Sequence, residues 1–223
     1  HTPVKNRCRW LVEHYETRIP AGSPNRNKRL EYAAFVETLD HHVGTVLTAI
    51  DDAKLRDNTL VVFLSDNGGH PEFCANAPLR GSKWNLYEGG IRVPMIVRWP
   101  GVSGSNLRTE TPVIIEDIYP TFLEIAGVPV EKDVDGKSFV EVVKNPELDR
   151  SMRPLFWHYP NLYHLPPYSS VRLGEHKLIH WHQSGKMELF DLKKDIGETK
   201  NLAKEMAEKV SDLAKLLSDH LRE

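Results

Sequence analysis

The string Ser65-Asp66-Asn67-Gly68-Gly69 follows directly on the apolar run Leu60-Val61-Val62-Phe63-Leu64, and a lysine stands further on in Gly81-Ser82-Lys83-Trp84-Asn85-Leu86-Tyr87-Glu88-Gly89-Gly90. An aspartate and an asparagine at the end of a buried strand offer hard oxygen ligands to a divalent cation, and an ammonium held nearby can take an oxyanion beside it. Asn-Gly is also the strongest short hairpin signal. The flanks favour a loop: residues 60–64 are apolar on both faces, as in a strand covered on two sides, and His70-Pro71-Glu72-Phe73 does not return as an alternating strand. Lys83 alone reads as a solvated surface residue. Gly81, Gly89 and Gly90 around it, with Trp84 and Tyr87 close by, instead set it in a backbone-crowded loop that can hold it in position.

The elements that must position these residues read as follows. From about Lys28 to Leu55, Tyr32, Phe35, Val36, Leu39, Val43, Val46, Leu47 and Ile50 recur at helical spacing, which predicts an amphipathic helix packed on a sheet. The strand at 60–64 follows after a short turn, the αβ step of a doubly wound, mostly parallel sheet. A strand at about 94–98 and a helix at about 116–126, with Pro120 tolerated in its first turn, continue the pattern. Residues 1–27 read as polar loop because Pro20, Gly22 and Pro24 break any helix, and 128–154 read as irregular. Asn145-Pro146 and Arg153-Pro154 mark a boundary, dividing the chain into 1–150, an α/β domain, and 151–223, a small α+β subdomain. In the second part, 169–173, 176–182 and 186–192 are short strands of an antiparallel sheet, and Leu202, Met206, Val210, Leu213, Leu217 and Leu221 form the apolar stripe of a terminal helix packed on it.

Composition bounds the function classes. With 223 residues, 40% hydrophobic and 27% charged, the chain can bury a sizeable core. A net charge of −2 and the lack of a basic stripe with interleaved aromatics argue against nucleic acid as a partner. No apolar run approaches the ~18 residues of a membrane span. The two cysteines, Cys8 and Cys74, leave the redox compartment open.

The order Ser-Asp-Asn-Gly, Gly-x-Lys, then Tyr87-Glu88-Gly89-Gly90-Ile91-Arg92-Val93-Pro94 before a strand resembles the type I sulfatases of the alkaline phosphatase superfamily. The resemblance continues through Asp117-Ile118-Tyr119-Pro120-Thr121-Phe122, Asp135-Gly136-Lys137-Ser138, Val171-Arg172, His176-Lys177-Leu178-Ile179, Glu188-Leu189-Phe190-Asp191 and Glu198-Thr199-Lys200-Asn201-Leu202, and so covers nearly the whole chain. It implies a sulfuric ester hydrolase with a Ca²⁺ site and a formylglycine nucleophile made from a Cys/Ser-x-Pro/Ala-x-Arg motif. That motif is missing, since Cys8 precedes Arg9-Trp10-Leu11-Val12 and Cys74 precedes Ala75-Asn76-Ala77-Pro78; the paired aspartates Asp51-Asp52 read as the solvated end of a helix. The resemblance is therefore to the C-terminal half of such an enzyme, expected to be inactive alone and to need the missing N-terminal half as its partner. By the same resemblance Asp66 and Asn67 are calcium ligands, and Lys83 and His1, the latter in a His-x-Pro segment, are catalytic and sulfate-contacting residues. His158 is a further substrate contact, in an aromatic and proline stretch that also reads as a packed loop. A periplasmic, secreted or lysosomal setting is implied as well.

Other histidines carry weaker signals. His70, after the metal-type loop, reads equally as facing the site or as a surface residue. His180 and His182 share a strand face and read as metal ligands or, lacking a third ligand, as a partly exposed face. His41 and His42 point about 100° apart on a helix and read as structural. Sulfated carbohydrate is the expected substrate, with an aryl sulfate as a laboratory stand-in. A noncatalytic anion-binding module and a phosphatase or phosphodiesterase of the same superfamily stay open as alternatives. The Asp-Asn pair, in place of Asp-His, speaks against the dizinc site of the latter.

Overall fold

A computed structural model describes residues 9–131, 133–160 and 165–222. Helix α1 (Arg9–Glu16) leads into the long helix α2 (Arg26–Asp52), then strand β1 (Val61–Leu64), a one-turn helix α3 (Glu88–Ile91) and strand β2 (Met95–Arg98). Helices α4 (Ile118–Ile125) and α5 (Val140–Lys144) follow, then strands β3 (Leu155–Tyr159), β4 (Tyr168–Leu173), β5 (His176–Trp181) and β6 (Met187–Asp191), and helix α6 (Ala207–His220). The α/β class, the antiparallel second sheet and the terminal helix all agree with the sequence expectation.

The structure differs from that expectation in several places. Helix α1 forms inside the segment read as loop, because Leu11 and Val12 bury against Leu30 and Ala34 of α2 while the breakers at 20–24 all lie beyond its end. The short helix α5 appears within 128–154, where Val140 and Val142 bury. The aromatic stretch at 155–159 is strand β3 rather than a loop. Strands β1 and β2 pair antiparallel, Val61 opposite Arg98 and Leu64 opposite Met95. Their connection holds one helical turn rather than a full crossover helix, so the chain returns beside β1 in the opposite direction; antiparallel strands of this kind are common within otherwise parallel α/β sheets. Helix α2 has the expected span, yet Phe35, Val36 and Leu39 on it are exposed and Val46 is 60% exposed. Ile96 of β2 is 62% exposed. An apolar face of this extent is one that a further layer normally covers.

The second sheet runs in the order β3-β4-β5-β6, every neighbour antiparallel. Because side chains alternate across a strand, its two faces bury different partners. One face gives Val171, Leu178 and Leu189 to Leu213 and Leu217 of α6. The other packs Tyr168, Ile179 and Phe190 against Leu86 and Tyr87, in the segment that carries Lys83. The sheet therefore backs the lysine loop.

Polar groups reinforce that arrangement. Lys177 of β5 is fully buried, 2.8 Å from Glu88 Oε1 and 2.6 Å from Glu198 Oε1, and the Glu88 amide donates to Glu198 Oε2 at 2.6 Å. Lys177 and Glu198 form a fully buried ion pair. Burial raises the Glu198 carboxyl above its ordinary value against the opposing pull of Lys177. Beside this cluster Glu188 accepts from Tyr87 Oη at 2.7 Å, Trp181 Nε1 at 2.8 Å and Lys186 Nζ at 3.1 Å. Elsewhere Arg153 forms a two-pronged pair with the buried Asp117, at 2.7 and 2.8 Å, which ties the segment before β3 to the start of α4.

Candidate active site

Strand β1 delivers Ser65 to Gly69 to the wall of a cavity of about 880 Å³. The turn is held locally: Ser65 Oγ donates to Asn67 O at 2.9 Å, the Asn67 amide to Asp66 Oδ1 at 3.0 Å, and Asn67 Nδ2 to Gly68 O at 3.0 Å. Among the described residues nothing donates to Asp66 Oδ2 or Asn67 Oδ1, and no cationic side chain pairs with Asp66, which is exposed. Two adjacent oxygen donors, one charged and one neutral, are left for a ligand.

The lysine loop reaches this turn through backbone contacts that only glycines permit. Gly68 N donates to Gly90 O at 2.8 Å, Lys83 N to Gly69 O at 3.0 Å, and Gly89 N to Arg80 O at 2.7 Å. A Cβ on Gly68 would stand 1.8 Å from Gly89 O, and one on Gly90 would stand 2.0 Å from Asn85 O. Asn76 staples the two loops by donating Nδ2 to Gly69 O at 3.2 Å and to Gly81 O at 3.1 Å. As a result Asp66, Asn67 and Lys83 line one cavity. Lys83 is half-buried and has no carboxylate within ion-pair distance among the described residues.

His70 lines the same cavity, its Nδ1 accepting from the Glu72 amide at 3.2 Å, which leaves the proton of the neutral ring on Nε2. Its ring lies 4.9 Å from Trp84, edge-on, and 4.7 Å from Phe73. Cys74 is a further wall residue, and burial raises its thiol above the ordinary value, so it stays protonated at neutral pH.

Trp84 sits at φ 77°, in the left-handed region. For a residue with a Cβ this costs roughly 1–2 kcal/mol. Tyr168, fully buried in β4, holds the turn: its hydroxyl donates to Trp84 O at 2.8 Å and accepts from the Leu86 amide at 3.0 Å. The ring stacks on Trp181 at 4.4 Å, and burial pushes the phenol up to about 12. Replacing Tyr168 with Phe leaves Leu86 N and Trp84 O unpaired. The expected loss is about 1–3 kcal/mol, measured by urea unfolding, with weaker sulfate binding because the lysine loop slackens.

Of the remaining expected site residues, one is described and falls elsewhere. His1 lies outside the described residues. His158 is not on the cavity wall. Leu155, Trp157 and Tyr159 share the face of β3 that meets the lysine loop, which turns Phe156 and His158 to the α6 side. There His158 Nδ1 is 2.6 Å from Ser169 Oγ, which is 2.8 Å from His182 Nε2. Although His180 is also near, with its ring 5.0 Å from that of His182, no group of three or more His, Cys, Asp or Glu among the described residues is arranged to hold a metal ion.

Family comparison gives two overlapping matches. The model described as Sulfatase fits residues 1–128, and that described as N-sulphoglucosamine sulphohydrolase, C-terminal fits residues 82–223. They meet across the lysine loop. The chain belongs to the sulfatase family. A sulfatase of Formosa agariphila is 37% identical over 219 residues, which is 88% of this chain and 40% of that protein. Human steryl-sulfatase is 35% identical over 143 residues, 59% of this chain and 24% of that protein. In three dimensions the chain matches the crystal structure of Ps i-CgsB in complex with k-i-k-neocarrahexaose, with a TM-score of 0.86 and 28% identity over 98% of this chain and 47% of that one. The chain thus spans less than half the length of these relatives.

The sequence pointed to Asp66, Asn67 and Lys83, which line one cavity, but not to what aligns them. Tyr168, Asn76 and the buried Glu88–Lys177–Glu198 cluster act through contacts between distant segments. Glu88, Lys177 and Glu198 do each fall within a family-like string, and three charged residues in such strings were the available signal.

Proposed function

We propose that this chain is the C-terminal half of a calcium- and formylglycine-dependent sulfatase that hydrolyses sulfate esters of carbohydrates. The observation that carries the reading is the docking of the two loops, which sets an exposed carboxylate, an amide oxygen and a half-buried ammonium on one cavity wall. Asp66 and Asn67 fit calcium by donor type and supply two of the roughly six to eight oxygens it takes. When bound, the ion draws charge from the sulfate oxygens. Lys83 holds a sulfate oxygen next to the cation and stabilises negative charge as the ester bond breaks. The His1 role in sulfate contact and proton transfer to the departing alcohol belongs to the same proposal. The nucleophile comes from a string outside this chain, since the residues after Cys74 do not fit it.

The complex of Ps i-CgsB with an oligosaccharide supports carbohydrate as the alcohol. The exposed apolar residues of α2 and β2 support an N-terminal half that covers them. Residues 1–150 are read as catalytic-domain sequence and 151–223 as the C-terminal subdomain. No described helix is long and apolar enough to cross a membrane; a periplasmic, secreted or lysosomal setting is part of the proposal.

The test compares the 223-residue chain with the intact protein on p-nitrophenyl sulfate. The chain alone is expected to give no turnover. In the intact protein Lys83→Ala is expected to lower kcat/KM by about 10²–10³-fold, and chelation of calcium to lower it similarly. Undiminished turnover by Lys83→Ala, or turnover by the isolated chain, refutes the reading.

A further inference from the structure

We propose that Arg172 and Arg92 form a second anion site, which takes a further sulfate or carboxylate group of the carbohydrate whose ester Lys83 holds; the inference rests on the sulfatase reading above and narrows its substrates to carbohydrates that carry more than one negative charge. Residues four apart on a strand share a face, so β4 sends Arg172 to the side of Tyr168 and of the lysine loop, away from α6. There it lines a cavity of about 370 Å³ together with Asp66, Asn67 and Arg92. Asp66, Asn67 and Arg92 also line the Lys83 cavity. The two cavities therefore adjoin, and the guanidiniums continue the positive wall that begins at the ammonium.

The pair is short of negative partners. Arg172 Nε donates to Gly174 O at 3.3 Å, and among the described residues its two terminal nitrogens have no hydrogen-bond acceptor and no carboxylate within ion-pair distance. Those nitrogens are not sealed in the interior, so they open on the space that the residue lines. Burial lowers the guanidinium from its ordinary value, Glu88 opposes that, Arg92 adds like-charge repulsion and Glu110 opposes it again; all three line the same cavity, which sets the charged head among them. Neither carboxylate neutralises the pair. Glu88 is bound to Lys177 at 2.8 Å and stands 3.5 Å from Arg92. Glu110 is 95% exposed and 3.8 Å from Arg92, a contact worth little. Two guanidiniums in a partly desolvated cavity repel each other, and an oxyanion taken by their planar forks relieves both at once. Such an anion lies in space continuous with the one at Lys83, as neighbouring charges on a polyanionic chain do.

The experiment measures, on the intact protein, competitive inhibition of p-nitrophenyl sulfate hydrolysis by methanesulfonate and by the α,ω-alkanedisulfonates from ethane to octane, with ω-sulfoalkanoates of the same lengths to tell a second sulfate from a carboxylate. At least one bis-anion is expected to bind about tenfold tighter than methanesulfonate, and Arg172→Gln to remove that gain while the methanesulfonate inhibition constant and the KM for p-nitrophenyl sulfate stay within about twofold of wild type. Arg172→Lys, which keeps the charge but not the fork, is expected to retain part of the gain. No gain for any bis-anion on the wild-type protein overturns the assignment, whatever the variants do. A gain that survives Arg172→Gln overturns it too. So does an equal weakening of methanesulfonate and disulfonate by that variant with a lowered melting temperature, which would mean that the guanidinium holds the missing half of the protein itself. Failure to hydrolyse p-nitrophenyl sulfate and to bind methanesulfonate removes the underlying sulfatase reading, and this inference with it.

Discussion

Lys177→Met is expected to destabilise the protein by about 3–5 kcal/mol, a large part of the stability of a typical domain. Methionine matches the lysine stem in volume, so packing changes little and charge decides the outcome. Without the ammonium, Glu198 has no cation among the described residues and Glu88 keeps only the part-exposed Arg92 at 3.5 Å, so the Glu88 amide bond to Glu198 cannot offset the buried negative charge. The sign of the pH dependence follows. Burial already raises the Glu198 carboxyl above the ordinary 4.5, and removing Lys177 takes away the main influence that lowers it. A carboxyl raised in the folded state costs nothing below its unfolded value and progressively more as pH climbs towards its folded value. The loss measured by urea unfolding is therefore larger at pH 8 than at pH 5. Adding Glu198→Gln to Lys177→Met should recover part of it. A loss under 1 kcal/mol with no pH dependence would show that the cluster is solvated.

Gly68→Ala is the second large effect, and it separates the two halves of the site. The added methyl would sit 1.8 Å from the Gly89 carbonyl oxygen, and the obstacle is backbone that cannot rotate aside. The loops must part, which breaks the Gly68–Gly90 bond and draws Lys83 away from Asp66 and Asn67. The expected cost is roughly 3 kcal/mol, the upper end for overpacking, and sulfate binding should fall by at least an order of magnitude. Thermal unfolding with sulfate titration checks both. A variant that keeps wild-type stability and sulfate affinity would show that close approach of the loops is not what builds the cavity.

The legible parts of this molecule are those whose signal is local. The period of Tyr32 to Ile50 gave α2, alternation gave β4 to β6, and the apolar run at 60–64 ending in Ser-Asp-Asn-Gly placed the oxygen donors at a strand end facing the lysine loop. Helix α1 was hidden because it is short and takes its stability from Leu30 and Ala34, not from its own composition. His158 was chosen by neighbourhood, but the parity of a strand decided its direction: Trp157 and Tyr159 meet the lysine loop, and the histidine between them meets the other side. The antiparallel β1–β2 pair and the Tyr168 brace depend on which distant segments meet, and no local pattern encodes that.

The brace has a genetic consequence. Tyr168, Lys177 and Glu198 lie in the last third of the chain, and none of them belongs to the cavity wall. A nonsense or frameshift lesion just after residue 165 would spare Asp66, Asn67 and Lys83 while withdrawing the hydroxyl that fixes the Trp84 turn and the ammonium that neutralises Glu88. Such an allele is expected to behave as a null even though every wall residue of the cavity is still translated, and late truncations in this gene should not be scored as mild.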